Sequence, residues 1–204
     1  MSADRLPSPL RRRGAEVARL RRALRPPAEI LGLRPGANTI DVVDEGRLLC
    51  FSYEDMLRYH GPGSPGGVAH AFKVMERAFA LLDGHGPLQR REIAVATAFG
   101  GPGARDAFEL ITRAVTGGRY ALEPELARPE HGSTRERFVF RVAYRQRSVT
   151  LGLREGFVTD EFIGLARRQR SLEDDARLTL LKTEMAARVM SSAAASVYEP
   201  ARGT

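Results

Sequence analysis

A chain of 204 residues with 43% hydrophobic content can bury one full core and is short for two, and no run approaches the roughly 20 apolar residues of a membrane helix. One cysteine, Cys50, excludes an internal disulfide and a metal site built mainly of thiolates. The net charge is +7, but residues 1–26 hold eight arginines against Asp4 and Glu16, so this arm carries +6 and the remainder +1; a nearly neutral core argues against a nucleic-acid interface spread over it.

The arm, residues 1–26, alternates Pro and Arg and offers one amphipathic stretch, Ala15–Leu24, ended by Pro26-Pro27. It is the candidate docking element for a protein partner, although with only Lys73 and Lys182 as lysines the arginine excess fits a compositional bias equally well. Its arginines and prolines stand where a signal peptide has an apolar core, so the expectation is a cytoplasmic protein that does not enter a membrane. Residues 27–190 are expected to form the domain and 191–204 a flexible tail.

Residues 41–52 alternate around Asp44-Glu45-Gly46 and predict a hairpin, with Cys50 in its apolar run as a core thiol. Ser52 and Asp55 have capping-box spacing, which predicts a short helix over Tyr53–Tyr59 that delivers His60 to the next loop. That loop, Gly61 to Gly67, ends in Ser64-Pro65, the N-cap and first position of a helix carrying Val68, Phe72, Met75, Phe79 and Leu82 at helical spacing. Arg91–Ala98 reads as a strand with two packed faces. It runs through Gly100-Gly101-Pro102-Gly103 into a helix from Ala104 to Thr116, stopped at Gly117-Gly118. Phe138–Tyr144 and Ser148–Leu153 predict an antiparallel hairpin. Thr159–Arg168 and Ser171–Met190 predict closing helices, the second with a capping box at Ser171 and Asp174. The fold class is therefore α+β: a small mixed or antiparallel sheet packed with helices.

Two glycine-rich loops that each open a helix leave backbone N–H groups unpaired and let a ligand approach the main chain. Each also has the simpler reading of a tight turn. Neither carries a nucleotide-binding pattern. The expected pocket uses Ser64, Gly66, Gly103 and Arg105 to hold a small-molecule or anionic ligand, with His60 and Asp106 as acid–base partners. Asp106 near a helix start has an ordinary structural reading as well, through the helix dipole. His70, His85 and His131 are expected at the surface.

The order of these motifs resembles the FmdE-like domain family, which takes its name from a component of molybdenum formylmethanofuran dehydrogenase. That family's signature is a His-Gly-His-x-Cys-Pro-Gly loop into a helix, then a strand, then a Cys-x-x-Asp-Ala loop opening a second helix, then Thr-Gly and a β-rich stretch. Here the corresponding residues are His60-Gly61-Pro62-Gly63-Ser64-Pro65-Gly66, Gly103-Ala104-Arg105-Asp106-Ala107 and Thr116-Gly117, and the resemblance spans roughly Tyr53 to Leu153. It implies an α+β domain, a homodimer, and His60 and Asp106 as ligands of a divalent metal such as zinc. Pro62, Ser64 and Gly103 replace the other ligands, so the implied metal is weakly held. The second functional reading is a non-catalytic accessory or metal-delivery protein that docks to a partner enzyme through the basic arm.

Overall fold

The computed structural model describes residues 38–83 and 86–201. The arm with its expected helix, and His85, lie outside the described residues. Strand β1 (Thr39–Asp44) and strand β2 (Arg47–Ser52) form the expected hairpin. Glu45 and Gly46 between them take φ of +49° and +79°, the two positive values that a tight hairpin turn requires. Strand β3 (Leu88–Gln89) adds in parallel to β1, giving a mixed sheet of order β2-β1-β3.

Helix α1 (Tyr53–His60) starts at the capping box of Ser52 and Asp55, with both reciprocal hydrogen bonds formed. Helix α2 (Pro65–Leu82) follows and is the centre of the molecule. Val68, Phe72 and Met75 are buried on one side, and Ala69, Ala71, Val74 and Ala78 on the others. A helix apolar nearly all round has to be enclosed.

Strand β4 (Ile93–Thr97), helix α3 (Pro102–Thr112) and strand β5 (Tyr120–Leu122) form a parallel strand-helix-strand unit. Strands β6 (Val139–Tyr144) and β7 (Arg147–Leu153) make the second hairpin, turning at Arg145 with φ of +56°. Helix α4 (Asp160–Arg167) and helix α5 (Leu172–Met190) follow, both side-chain capped. A short helix α6 (Ala194–Val197) and strand β8 (Tyr198–Pro200) complete a second sheet of order β5-β4-β6-β7-β8. The fold is thus α+β, with two small mixed sheets and helices. Among the described residues no helix is long and apolar enough to cross a membrane.

Two expectations need correction. The second glycine-loop helix ends at Thr112, four residues early, because Arg113 adopts the left-handed conformation at φ +53°. The Glu109 carboxylate then accepts the Val115 and Thr116 N–H groups at 2.8 and 3.1 Å. Burial alone would raise the Glu109 pKa, but these bonds, the Thr116 hydroxyl and Arg113 together hold it below the ordinary glutamate value. The second correction concerns the flexible tail. Residues Ala194–Pro200 belong to the fold: Tyr198 is fully buried, and β8 pairs with β7.

Candidate functional site

The capping box fixes where α1 starts, and its eight residues place His60 at the far end, where Gly61 turns the chain at φ +84°. Asp106 sits in the second turn of α3, because that helix begins at Pro102. Together they form a pair, His60 Nδ1 to Asp106 Oδ2 at 2.7 Å, that ties α1 to α3 across 46 residues of sequence. The His60 side chain is nearly buried at 9% exposure and Asp106 is less so at 29%. A carboxylate can only accept here, which puts a proton on Nδ1; in the neutral ring Nε2 is then the acceptor. Among the described residues no protein group meets Nε2. Arg105 is half exposed, with Nη1 at 3.6 Å from Asp106 Oδ1. This is an Asp-His arrangement of the kind that holds an imidazole in one tautomer.

The same pair is the expected ligand set for a metal. Zinc needs three or four protein donors in tetrahedral array. His60 and Asp106 supply two, they are bonded to each other, and among the described residues no three of His, Cys, Asp and Glu converge. Pro62, Ser64 and Gly103 bring no imidazole or thiolate. The donor set does not fit a zinc-type ion.

The glycine loops meet each other rather than framing an open cradle. A methyl on Gly103 would lie 2.5 Å from the Ser64 carbonyl oxygen, and one on Gly67 would lie 3.2 Å from the Ala104 nitrogen. A methyl on Gly66 would touch Met185 Sδ at 2.9 Å. These glycines let the starts of α2 and α3 and the side of α5 approach at backbone distance. Gly103 is therefore packed beneath Ser64 and does not line a pocket, and Arg105 points towards Asp106. Ser64 stands at the N-cap position of α2 without making a side-chain cap bond.

Beyond that contact lies a cleft of about 540 Å³. Ser64, Gly66 and Gly67 of the α2 start and Gly100, Gly101 and Pro102 ahead of α3 form one wall. Helices α4 and α5 form the other. Its inner lining is apolar: Phe99 stacks on Phe138 with centroids 4.5 Å apart, and Phe162, Ile163 and Met185 face them. The charged residues lining it are Arg137, Arg167, Arg170 and Lys182, with no carboxylate among them. Arg167 binds Glu136 at 2.5 Å, Arg170 binds Asp175 at 2.7 Å, and Lys182 Nζ donates to the Gly63 carbonyl at 2.9 Å. Arg137 has no partner among the described residues. The expected site thus divides: Ser64 and Gly66 line the cleft, whereas His60 and Asp106 line neither it nor the apolar groove of about 700 Å³ between α1 and α5.

Sequence reasoning misses the four cations. They come from two loops and two helices far along the chain, and the run Arg167-Arg168-Gln169-Arg170 is the one local sign of them. His70 is a further correction. It is fully buried, its Nδ1 is hydrogen-bonded to Tyr198 Oη at 2.8 Å, and its Nε2 is unpartnered. Burial holds its pKa down at about 3, so the ring is neutral. His131 lies in a 3-10 turn and is partly exposed. No family model matches the chain, and no curated protein matches it.

Proposed function

We propose that the chain is a small-molecule-binding protein of the FmdE-like kind, taking an anionic ligand in the cleft beside the starts of α2 and α3. The observation that carries this reading is the charge of the cleft: every charged side chain lining it is cationic. The α2 start adds to it. The first backbone acceptor bond of α2 runs from Val68 N–H to the Ser64 carbonyl, so the N–H groups of Gly66 and Gly67 have no helical acceptor. Pockets of this size, mostly apolar with a few convergent polar groups, are the usual form of small-ligand sites. The strand, glycine loop and helix order supports the family part of the reading as analogy.

In this reading His60 and Asp106 form an acid–base pair with Asp106 as the orienting group and His60 Nε2 as the base. Because the pair lines neither the cleft nor the groove between α1 and α5, binding is the primary function and chemistry at His60 requires a ligand that extends beyond the cleft. The test is calorimetric titration of the purified protein with small organic anions at low and high salt, beside His60→Ala. Binding that weakens with salt is expected. No binding by any anion removes the proposal, and undiminished turnover by His60→Ala removes the acid–base role. The +6 arm ahead of a nearly neutral core favours one alternative, an accessory protein docking through the arm. Deleting residues 1–26 would then abolish partner capture with the core still folded.

A further inference from the structure

We infer that the ligand of the cleft is a monocarboxylic acid with a flat apolar body, its carboxylate on Arg137 and its body against Phe99, Phe162 and Ile163; this rests on the cleft being the binding site, as proposed above. Charge decides the head group. Of the four cations lining the cleft, Arg167 and Arg170 are already neutralised by Glu136 and Asp175. Lys182 keeps its charge but turns its Nζ to the carbonyl of Gly63, which does not line the cleft. Arg137 is the cation left with its five donors unassigned, and a guanidinium matches the two oxygens of one carboxylate in a bidentate pair.

A phosphate monoester would bring nearly twice that charge, and the backbone does not supply the difference. Pro65 and Pro102 at the first helical positions carry no N–H. On the α3 side the next donors are covered, Gly103 beneath Ser64 and Ala104 against Gly67. Gly66, Gly67, Gly100 and Gly101 keep N–H groups on the wall, neutral donors that bring no second positive charge.

The lining decides the body. Phe99 and Phe138 are stacked within 28° of parallel, and Phe162 and Ile163 of α4 lie across the cleft with Leu178 and Met185 of α5. Phe138 is buried beneath Phe99, so the apolar faces open to a ligand are those of Phe99, Phe162 and Ile163, which take a ring by offset or edge contact. A small polar anion would leave these faces in contact with water.

The experiment is calorimetric titration of the full chain with 2-naphthoate, its neutral carboxamide and 2-naphthyl phosphate. The proteins are the wild type, Arg137→Gln and Ala166→Trp. Ala166 is exposed and lines the cleft, so tryptophan there fills the cleft without entering the core. The expected result is naphthoate binding at least tenfold tighter than the carboxamide. Arg137→Gln should lose at least tenfold for naphthoate and leave the carboxamide unchanged, and Ala166→Trp should abolish both. Carboxamide binding as tight as naphthoate, blocked by Ala166→Trp, overturns the carboxylate and keeps the cleft. Tighter binding of the phosphate ester overturns the head-group assignment. Naphthoate binding that survives Ala166→Trp places the ligand elsewhere and overturns both readings, whereas the failure of all three compounds to bind, with another organic anion bound, overturns this inference alone.

Discussion

The starts of α2 and α3 look alike along the chain, each a Gly-Pro-Gly followed by a helix, and differ in space. In the first loop Gly61 and Gly63 have nothing within 4 Å of where a Cβ would stand, whereas Gly66 and Gly67 do. In the second, Gly103 is enclosed by Ser64 and Val68 of the first loop's helix. The inner glycines serve the contact between the two helix starts, and the outer ones serve the turn. A glycine run that leads into a helix therefore need not be a ligand cradle. Here the cleft is the space left beyond that contact, and its charge comes from side chains on other elements.

Gly103→Ala should break the contact, and it carries the largest expected effect. The added methyl would meet the Ser64 carbonyl oxygen at 2.5 Å, Ser64 Cβ at 3.0 Å and the Val68 nitrogen at 3.1 Å, mostly backbone with no rotamer to swing away. Overpacking of this kind costs about 1–3 kcal/mol, and here the upper end is expected even after the gain of up to about 1 kcal/mol in helix propensity. Gly66→Ala should cost less, because its nearest atom is the flexible Met185 Sδ. Urea denaturation of both variants measures this. A Gly103→Ala protein as stable as the wild type would mean that glycine is not required by the contact.

The two histidines nearest these helix starts extend the comparison. His60 is tied to a partly exposed carboxylate, and His70, ten residues on, to a buried phenol. Burial depresses the His70 pKa from 6.5 to about 3. The unfolded chain therefore takes up a proton as the pH falls below about 6.5 while the folded chain does not. Stability from this group is fully present above that pH and is lost progressively down to about pH 3. The loss between pH 6.5 and 5 should be about 2 kcal/mol. His70→Leu combined with Tyr198→Phe, which removes both polar partners, should flatten that slope; denaturant midpoints measured across the range decide it. An unchanged slope would assign the acid sensitivity to other groups.

Much of the fold is legible in the sequence because its signals are local. The Ser52–Asp55 and Ser171–Asp174 capping boxes, the Glu45-Gly46 turn and the periodicity of Val68, Phe72 and Met75 all act within a few residues. The tail is illegible for the opposite reason. Its composition is small and polar, and Tyr198 is placed by His70, 128 residues away. His70 itself reads as a surface residue, because nothing near it in sequence announces that partner. The site is legible in the same proportion. His60 and Asp106 can be singled out by their places at helix ends, but Arg137 and the cations of α4, α5 and the connection between them acquire their common cleft only when those helices fold over the glycine contact.

The smallest expected effect separates the two jobs within one loop. Gly61 takes φ +84° and Gly63 does not take a positive value, yet neither has a neighbour within 4 Å of an added methyl. Packing therefore predicts the same outcome at both positions, and backbone conformation predicts different ones. Gly61→Ala should cost about 1–2 kcal/mol, since a Cβ is strained against the carbonyl in the left-handed region. Gly63→Ala should be neutral or stabilising by up to about 1 kcal/mol, through the smaller conformational freedom of the unfolded chain. Equal effects at the two positions would show that this loop is not held in the turn geometry that delivers Ser64 and Pro65 to the start of α2. In that case the close approach of Gly103 beneath Ser64, and the cleft wall built on it, would need a different support.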